Sequence, residues 1–535
     1  MLIAESALLQ RVSARITGSP LAAARGACAV ILLFALLLPT KTIFMVGDDG
    51  FFVFTIARNL ARGHGLSADG HTLTNGVQPL WAFLLVPLYW QSVIPPLRGI
   101  LLFSTALLAG SAWLFGSIAA HLTSPRISDP APGVPEGDRQ KVVFWGAAAL
   151  YMTTWHGFWV HFNNLETGLL FFLLLLSLRL YLVLDFRRLR VAALFGALLG
   201  VLILARIDTS FFVAAILLTT SFELRRDLGL GRALTRTVLA GVVATCVSAP
   251  WWLYNRIVFG HFMPISGQAQ QHWAIDGSRL QKMGLTLASF TAPFLPILQI
   301  SFSERLAARL AMGSMCALAA VGAVVVARAR HRRGASTGNL PASSTARRLD
   351  AAALAFALSL LMLIGYYTFG SFAVWFYGRY MAPVLLASMF AWFFEMRRAA
   401  TRRPALFVAI LSLVLGTFAF QILSMHRAFR PGITDAQRQI AVVREHVPAG
   451  EVVAAGQSGM LSYFWEPTVN MDGKVNAEVL TIQAPGAAHG YLVARGIHWY
   501  CDWKELVTLH LGAAPEERGW NLVARDGPWF LYHRD

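Results

Sequence analysis

Residues 26–81 read GACAVILLFALLLPTKTIFMVGDDGFFVFTIARNLARGHGLSADGHTLTNGVQPLW. The first part, Gly26–Leu38, is an unbroken apolar run preceded by Arg11, Arg15 and Arg25. Pro39-Thr40-Lys41 is a poor cleavage site, so the run reads as an uncleaved transmembrane helix rather than a secretion signal. The second part, Gly47–Trp81, changes character at once. Two carboxylates, Asp48 and Asp49, stand where the chain leaves the apolar run. After them Phe51, Phe54, Ile56, Ala57 and Leu60 lie mostly on one side of a predicted helix, and Thr55, Arg58, Asn59 and Arg62 share another. Such a helix is expected to lie in the membrane interface plane, aromatic side down. Gly63, Gly65 and Gly70 then end it and turn the chain.

The same alternation of apolar runs and short polar gaps continues downstream. Of the 535 residues 56% are hydrophobic and only 14% charged, against about 25% charge in a soluble domain. Several runs approach or exceed about 18 residues, long enough to cross a bilayer. A soluble globular enzyme, a disordered chain and a fibrous repeat are thereby excluded. The net charge is +17, but most arginines fill the gaps between apolar runs. That is a topology signal, and nucleic acid is not an expected partner. Cys28, Cys246, Cys316 and Cys501 have no zinc-site or disulfide-framework spacing.

The arginine-rich gaps are Asp185–Arg190, Glu223–Arg236, Arg328–Arg348 and Glu395–Arg403, and the third holds six arginines and no acid. They belong on the cytoplasmic side, and the Pro/Gly-rich stretch Thr123–Lys141 fits there as a surface loop. Gly47–Gln78, His161–Glu166, Tyr254–Ser303, Gly370–Arg379 and everything after about Ser424 then lie outside. The expected fold is a multi-pass α-helical membrane protein of about 11–13 helices, N-terminus in and C-terminus out, with roughly eleven crossings. Residues 79–94 and 285–300 either cross or form re-entrant or surface helices. The helical module is expected over 1–425, with 47–78 as its first outer loop, and a small α/β domain over 426–535. In that domain Ile433–His446 reads as an amphipathic helix, and Glu451–Ala455, Gly490–Val493 and Trp529–Tyr532 as strands.

Asp48 and Asp49 carry the first candidate chemistry. Adjacent carboxylates repel unless a cation or a bound proton relieves them. The pair can therefore hold a divalent metal through oxygen, or one member can serve as a general base. The structural alternative is an N-cap followed by a solvated loop residue.

At this point the sequence resembles a known family. Asp48-Asp49-Gly50-Phe51-Phe52, Ala57-Arg58-Asn59-Leu60, Gly63-His64-Gly65 and Gly76-x-x-Pro79-Leu80-Trp81 resemble the first outer loop of the GT-C glycosyltransferases. The nearest branch is similar to bacterial, mycobacterial-type arabinofuranosyltransferases; aminoarabinose transferases and protein O-mannosyltransferases are more distant. Fragments recur at Asn164–Gly168, Ala205–Asp208, Pro250–Pro264, Gly378-Arg379-Tyr380 and Met471-Asp472-Gly473. One departure falls at Gly76-Val77-Gln78, where the arabinofuranosyl branch often carries Gly-Tyr-Thr-Ser. The resemblance implies an inverting glycosyltransferase of the bacterial inner membrane with a periplasmic C-terminal domain. It implies a polyprenyl-phosphate-linked sugar donor, with arabinofuranose the sugar of the nearest branch, and a glycan, lipid or protein acceptor. It also implies Asp48 as the base, with Asp49 either holding a metal or orienting that base; the metal reading of the pair calls for a divalent cation (Mg, Mn or Ca) at Asp48 and Asp49.

Charged residues at the outer ends of helices are candidates for donor phosphate or sugar: Arg58, Glu166, Arg206, Asp208, Arg256, His261, Arg379 and Tyr380. Each has a plainer reading. Arg206 and Asp208 can pair to hold a hairpin, Glu166 can cap a helix, and interfacial arginines can snorkel. His156 and His161 are five apart, so they do not share a helix face as a metal pair would, and interfacial packing suits them better. Trp81, Trp251 and Trp252 suit interface belts or sugar stacking. Tyr463, Trp465, Asp472 and Lys474 suit turn and core roles or contact with the acceptor. The rival functions are a transporter or lipid flippase, which calls for symmetric halves and midplane charges that the sequence lacks, and a membrane-anchored sensor.

Overall fold

A computed structural model describes residues 21–45, 47–123, 136–271, 273–274, 277–291, 293, 344–371, 376–424, 434–482 and 484–535. The protein is predominantly helical, with one small sheet near its C-terminus. Pro96–Leu122, Ile207–Leu228, Leu230–Phe259, Arg347–Gly370 and Ala405–Leu423 are long and apolar enough to cross a membrane. Leu21–Leu37, Pro79–Trp90, Thr167–Val183 and Leu189–Ala205 are shorter apolar helices. Pro79–Trp90 breaks at Val86, ahead of Pro87. At about 18 Å in length it falls short of the hydrocarbon thickness. Of the 285–300 run, residues 285–291 finish the helix Gly277–Thr291; 292 and 294–300, like most of the basic gap Arg328–Arg348, lie outside the described residues.

Small residues let the central helices approach closely. A Cβ added to Gly196 would lie 2.3 Å from the Ala240 carbonyl oxygen, and one at Gly200 2.7 Å from that of Ala244. Where lipid removes the hydrophobic drive between helices, such close packing holds them together. The connections sort to two ends. At one, Arg187 and Arg347 both meet Asp227 at 2.9 Å, and Arg236 donates to the Arg187 carbonyl at 2.9 Å. Three arginine-rich gaps thus converge there. The other end gathers Glu166, Arg206 and Arg379, about 25 Å away along Thr167–Val183.

The C-terminal domain holds a five-stranded sheet in the order β2-β1-β3-β5-β4. The strands are β1 (Val453–Ala455), β2 (Thr468–Asn470), β3 (Trp499–Trp503), β4 (Trp520–Asp526) and β5 (Trp529–Arg534). β1 lies parallel to β2 and β3, and β5 is antiparallel to β3 and β4. The amphipathic helix spans Asp435–His446, started by a capping box of Thr434 and Gln437. Gly490–Val493 is a correction: it lies inside the helix Ala488–Ala494, with Ala488 and Leu492 buried one turn apart. Periodicity cannot separate strand from helix in so short a run.

The first-loop helix, Asp49–Ala61, is as expected in extent but not in setting. It is buried between the helical module and the C-terminal domain rather than laid on a lipid surface. Phe51 meets Tyr463 at 5.7 Å and Phe464 at 6.0 Å between ring centroids. The polar side is covered too, with Thr55 Oγ1 3.2 Å from Ser462 Oγ.

Candidate functional site

Asp49 opens the first-loop helix, and Gly50 sets where it sits. A Cβ on Gly50 would lie 2.4 Å from Asn164 Cβ, so only glycine lets the helix touch the 163–166 turn. Asn164 itself sits at φ 63, and its side chain donates to the Ile43 carbonyl at 2.8 Å. This turn delivers Glu166, which is buried. Arg379, on the short helix Tyr377–Tyr380, grips Glu166 with a two-nitrogen fork: Nε to Oε1 at 3.2 Å and Nη2 to Oε2 at 2.9 Å. Its Nη1 stands 4.0 Å from Asp49 Oδ2.

Arg206 fixes the same turn from below. Its guanidinium donates to the carbonyls of Arg379 at 3.0 Å and Tyr380 at 3.2 Å, and to Asp208 at 2.7 Å. Asp208 also accepts from Tyr367 Oη at 2.9 Å, and Tyr367 stacks on Tyr380 with centroids 4.2 Å apart. A buried charge needs both a counter-charge and hydrogen bonds, and Arg206 has both.

Asp49, Gln78, Glu166, Gln270, Arg379 and Lys474 line a cavity of about 70 Å³ that opens to solvent. Tyr380 belongs to the same wall and donates to Gln270 Oε1 at 3.2 Å. Lys474 enters from the C-terminal domain, 3.2 Å from Asp472 and 5.2 Å above the Phe376 ring. Burial alone would lower its pKa, but Asp472 and Asp49 outweigh burial and push it up to about 12. Arg379 is likewise pushed up by Glu166, Tyr380 and Asp49 against the opposing effect of burial. The cavity thus joins a part-exposed carboxylate to two fixed cations, a set suited to taking a proton at one point and stabilising an anion at another.

Asp48 is turned elsewhere. Its carboxylate accepts the backbone N–H groups of Gly459 at 2.6 Å and Met460 at 2.5 Å, at the start of the helix Gly459–Phe464. Burial raises its pKa to about 6, with these two N–H bonds pulling the other way. It does not line the cavity among the described residues. Both oxygens of Asp48, the expected base, thus each accept a backbone N–H of the C-terminal domain. The two adjacent carboxylates meet different partners, Asp48 the Gly459 and Met460 N–H groups and Asp49 the cavity.

Other candidates also take structural roles. Arg58 donates to the Tyr463 and Ser462 carbonyls and pairs with Glu466, pinning the first-loop helix to the C-terminal domain. Arg206 and Asp208 hold their hairpin, as the plainer reading has it. Arg256 folds back onto the Gly260 carbonyl, and it and His261 are exposed and outside the cavity lining. Glu166 makes no side-chain cap; its role is to hold Arg379. Trp81 is core, stacked on Phe103, and Trp251 stacks on Tyr254. Trp252 bonds Ser248, and Trp465 donates to the Glu451 carbonyl. His161 bonds Ser111 and the Gly157 carbonyl, and His156 lies 3.3 Å from Ser289 Oγ. Gln78, Ser266 and Gln270 were not singled out in the sequence. They are uncharged and sit in loops or short helices, where no periodicity marks a lining residue.

Comparison with known families places one part of the chain. Residues 428–532 match a domain family of unknown function, DUF8728. No curated protein matches the chain.

Proposed function

We propose that this protein is an integral-membrane, inverting glycosyltransferase of the GT-C type, taking a sugar from a polyprenyl-phosphate donor. The observation that carries the reading is the Asp49–Arg379 juxtaposition, 4.0 Å apart in one cavity. Asp49 is the base in place of Asp48. It takes the proton of an acceptor hydroxyl as that oxygen bonds to the anomeric carbon. The bond from that carbon to the phosphate oxygen breaks, and the phosphate leaves with the electron pair toward Arg379. Inversion follows from attack on the face opposite the leaving group.

Topology supports a lipid-borne donor. The cavity lies at the end of the helices opposite the arginine-rich gaps, and the positive-inside rule assigns that end, with residues 426–535, to the periplasmic side of a bacterial inner membrane. No nucleotide-sugar pool exists there, so a lipid-linked donor is the expected supply. The acceptor is a glycan, a lipid-linked saccharide or a protein, and arabinofuranose is the first sugar to test. The test is incubation of membranes containing the chain with radiolabelled polyprenyl-phosphate sugars, arabinofuranose among them. Label in a new glycan that requires the chain supports the reading; no transfer from any such donor overturns it.

A further inference from the structure

The C-terminal domain does more than sit beside the cavity. Its loop after β2 is held in one geometry by contacts on both sides. Within the loop, the Lys474 backbone N–H donates to Asp472 Oδ1 at 2.9 Å, and Gly473 turns the chain at φ 77. Behind it, a buried network braces the domain: Asp502 accepts the Gly456 N–H at 2.6 Å and the Gln457 N–H at 3.2 Å, and Tyr500 Oη lies 2.5 Å from His510 Nδ1. In front, the loop presses on the first outer loop so closely that a Cβ on Gly76 would lie 1.9 Å from the Lys474 carbonyl oxygen. Lys474 lines the cavity that Asp49 and Arg379 also line.

We infer that Lys474 is a second phosphate-binding cation of the site, so that the C-terminal domain completes the subsite for a lipid phosphomonoester. The inference rests on the glycosyltransferase reading above. Arg379 already spends two of its three nitrogens on Glu166. A phosphate has three oxygens to satisfy, and Arg379 reaches it chiefly through Nη1. An ammonium carries three donors, so Lys474 keeps capacity for phosphate after meeting Asp472. The Phe376 ring beneath it favours the charged form and restricts its swing. Lys474 thus supplies the point charge and Arg379 the oriented donor.

The test is equilibrium binding of polyprenyl phosphate to the full chain in lipid nanodiscs, with polyprenol and inorganic phosphate as separate arms. Wild type binds polyprenyl phosphate well above polyprenol. Lys474→Gln weakens polyprenyl phosphate binding by about tenfold or more, the scale of one hydrogen bond to a charged group, and leaves polyprenol binding unchanged. Lys474→Arg, which keeps the charge, recovers most of the affinity and guards against a folding defect. Asp49→Asn, which removes a repelling carboxylate, binds at least as well as wild type. Inorganic phosphate that fails to compete supports a lipid-borne source; equal affinity for inorganic phosphate overturns it. Unchanged polyprenyl phosphate affinity in Lys474→Gln, with loss in Arg379→Gln, overturns the Lys474 assignment alone. No preference for polyprenyl phosphate over polyprenol in wild type overturns the underlying glycosyltransferase reading as well.

Discussion

Asp48 accepts the backbone N–H of Gly459 at 2.6 Å, a bond that joins residues 411 apart in the chain. With the Met460 N–H it makes a carboxylate clamp between the first outer loop and the C-terminal domain. The clamp has a titration. Burial raises the Asp48 pKa from 3.8 to about 6. A carboxyl with a raised pKa holds its proton more tightly in the folded protein. Its contribution to stability is therefore largest below about pH 4, falls as pH rises through the window from about 4 to about 6, and is level above it. The full effect is about 3 kcal/mol. Thermal unfolding of wild type and Asp48→Asn across this window checks it: the wild-type midpoint falls more steeply as pH rises, and equal slopes contradict the burial that raises the Asp48 pKa above the pull of its two N–H bonds.

Gly50→Ala tests the contact that places Asp49. The new methyl would meet Asn164 Cβ at 2.4 Å, and its backbone oxygen at 2.9 Å. Overpacking of this kind costs about 1–3 kcal/mol. The helix must shift away from the 163–166 turn, so transfer activity falls together with thermal stability. Full activity in Gly50→Ala would show that the spacing of Asp49 from Glu166 is not critical.

Arg206→Met leaves Asp208, whose side chain is 11% exposed, without its cation. Breaking one side of such a pair costs about 3–5 kcal/mol. Adding Asp208→Asn removes the stranded charge and recovers part of that loss. The measurement is a double-mutant cycle on thermal unfolding in detergent; strictly additive effects would refute the coupling.

The helical membrane class was legible because apolar runs of bilayer length leave few alternatives, and the first-loop helix was legible from Phe51 to Arg62 because its periodicity is strong. Its burial was not legible. An amphipathic helix against lipid and one between two protein surfaces share a pattern, and the covering groups, Ser462 to Phe464, lie some 400 residues away in sequence. Of the Asp48–Asp49 doublet only Asp49 lines the cavity, and which member faces it depends on the rotation of one helical turn. Glu166 and Arg379 were both picked out singly as charges at helix ends. Their pairing across 213 residues is a property of the fold alone.

Gly76→Ala tests whether the C-terminal domain is docked as described. A Cβ there would lie 1.9 Å from the Lys474 carbonyl oxygen, and backbone cannot give way as a side-chain tip can. The loop carrying Lys474 must lift off. Limited trypsin digestion checks this: the variant releases a C-terminal fragment faster than wild type, and identical digestion rates contradict the docking.

The central claim is that Asp49, not Asp48, is the base. It is tested most directly by sugar transfer from a polyprenyl-phosphate donor, measured side by side for Asp49→Asn and Asp48→Asn at pH 7.5 after matching the amount of folded protein. The account predicts that Asp49→Asn loses about 10²–10⁴-fold in rate, the range for a missing general base, while Asp48→Asn keeps most of its rate per folded molecule. The reverse order, with Asp49→Asn active and Asp48→Asn inert though folded, would contradict it.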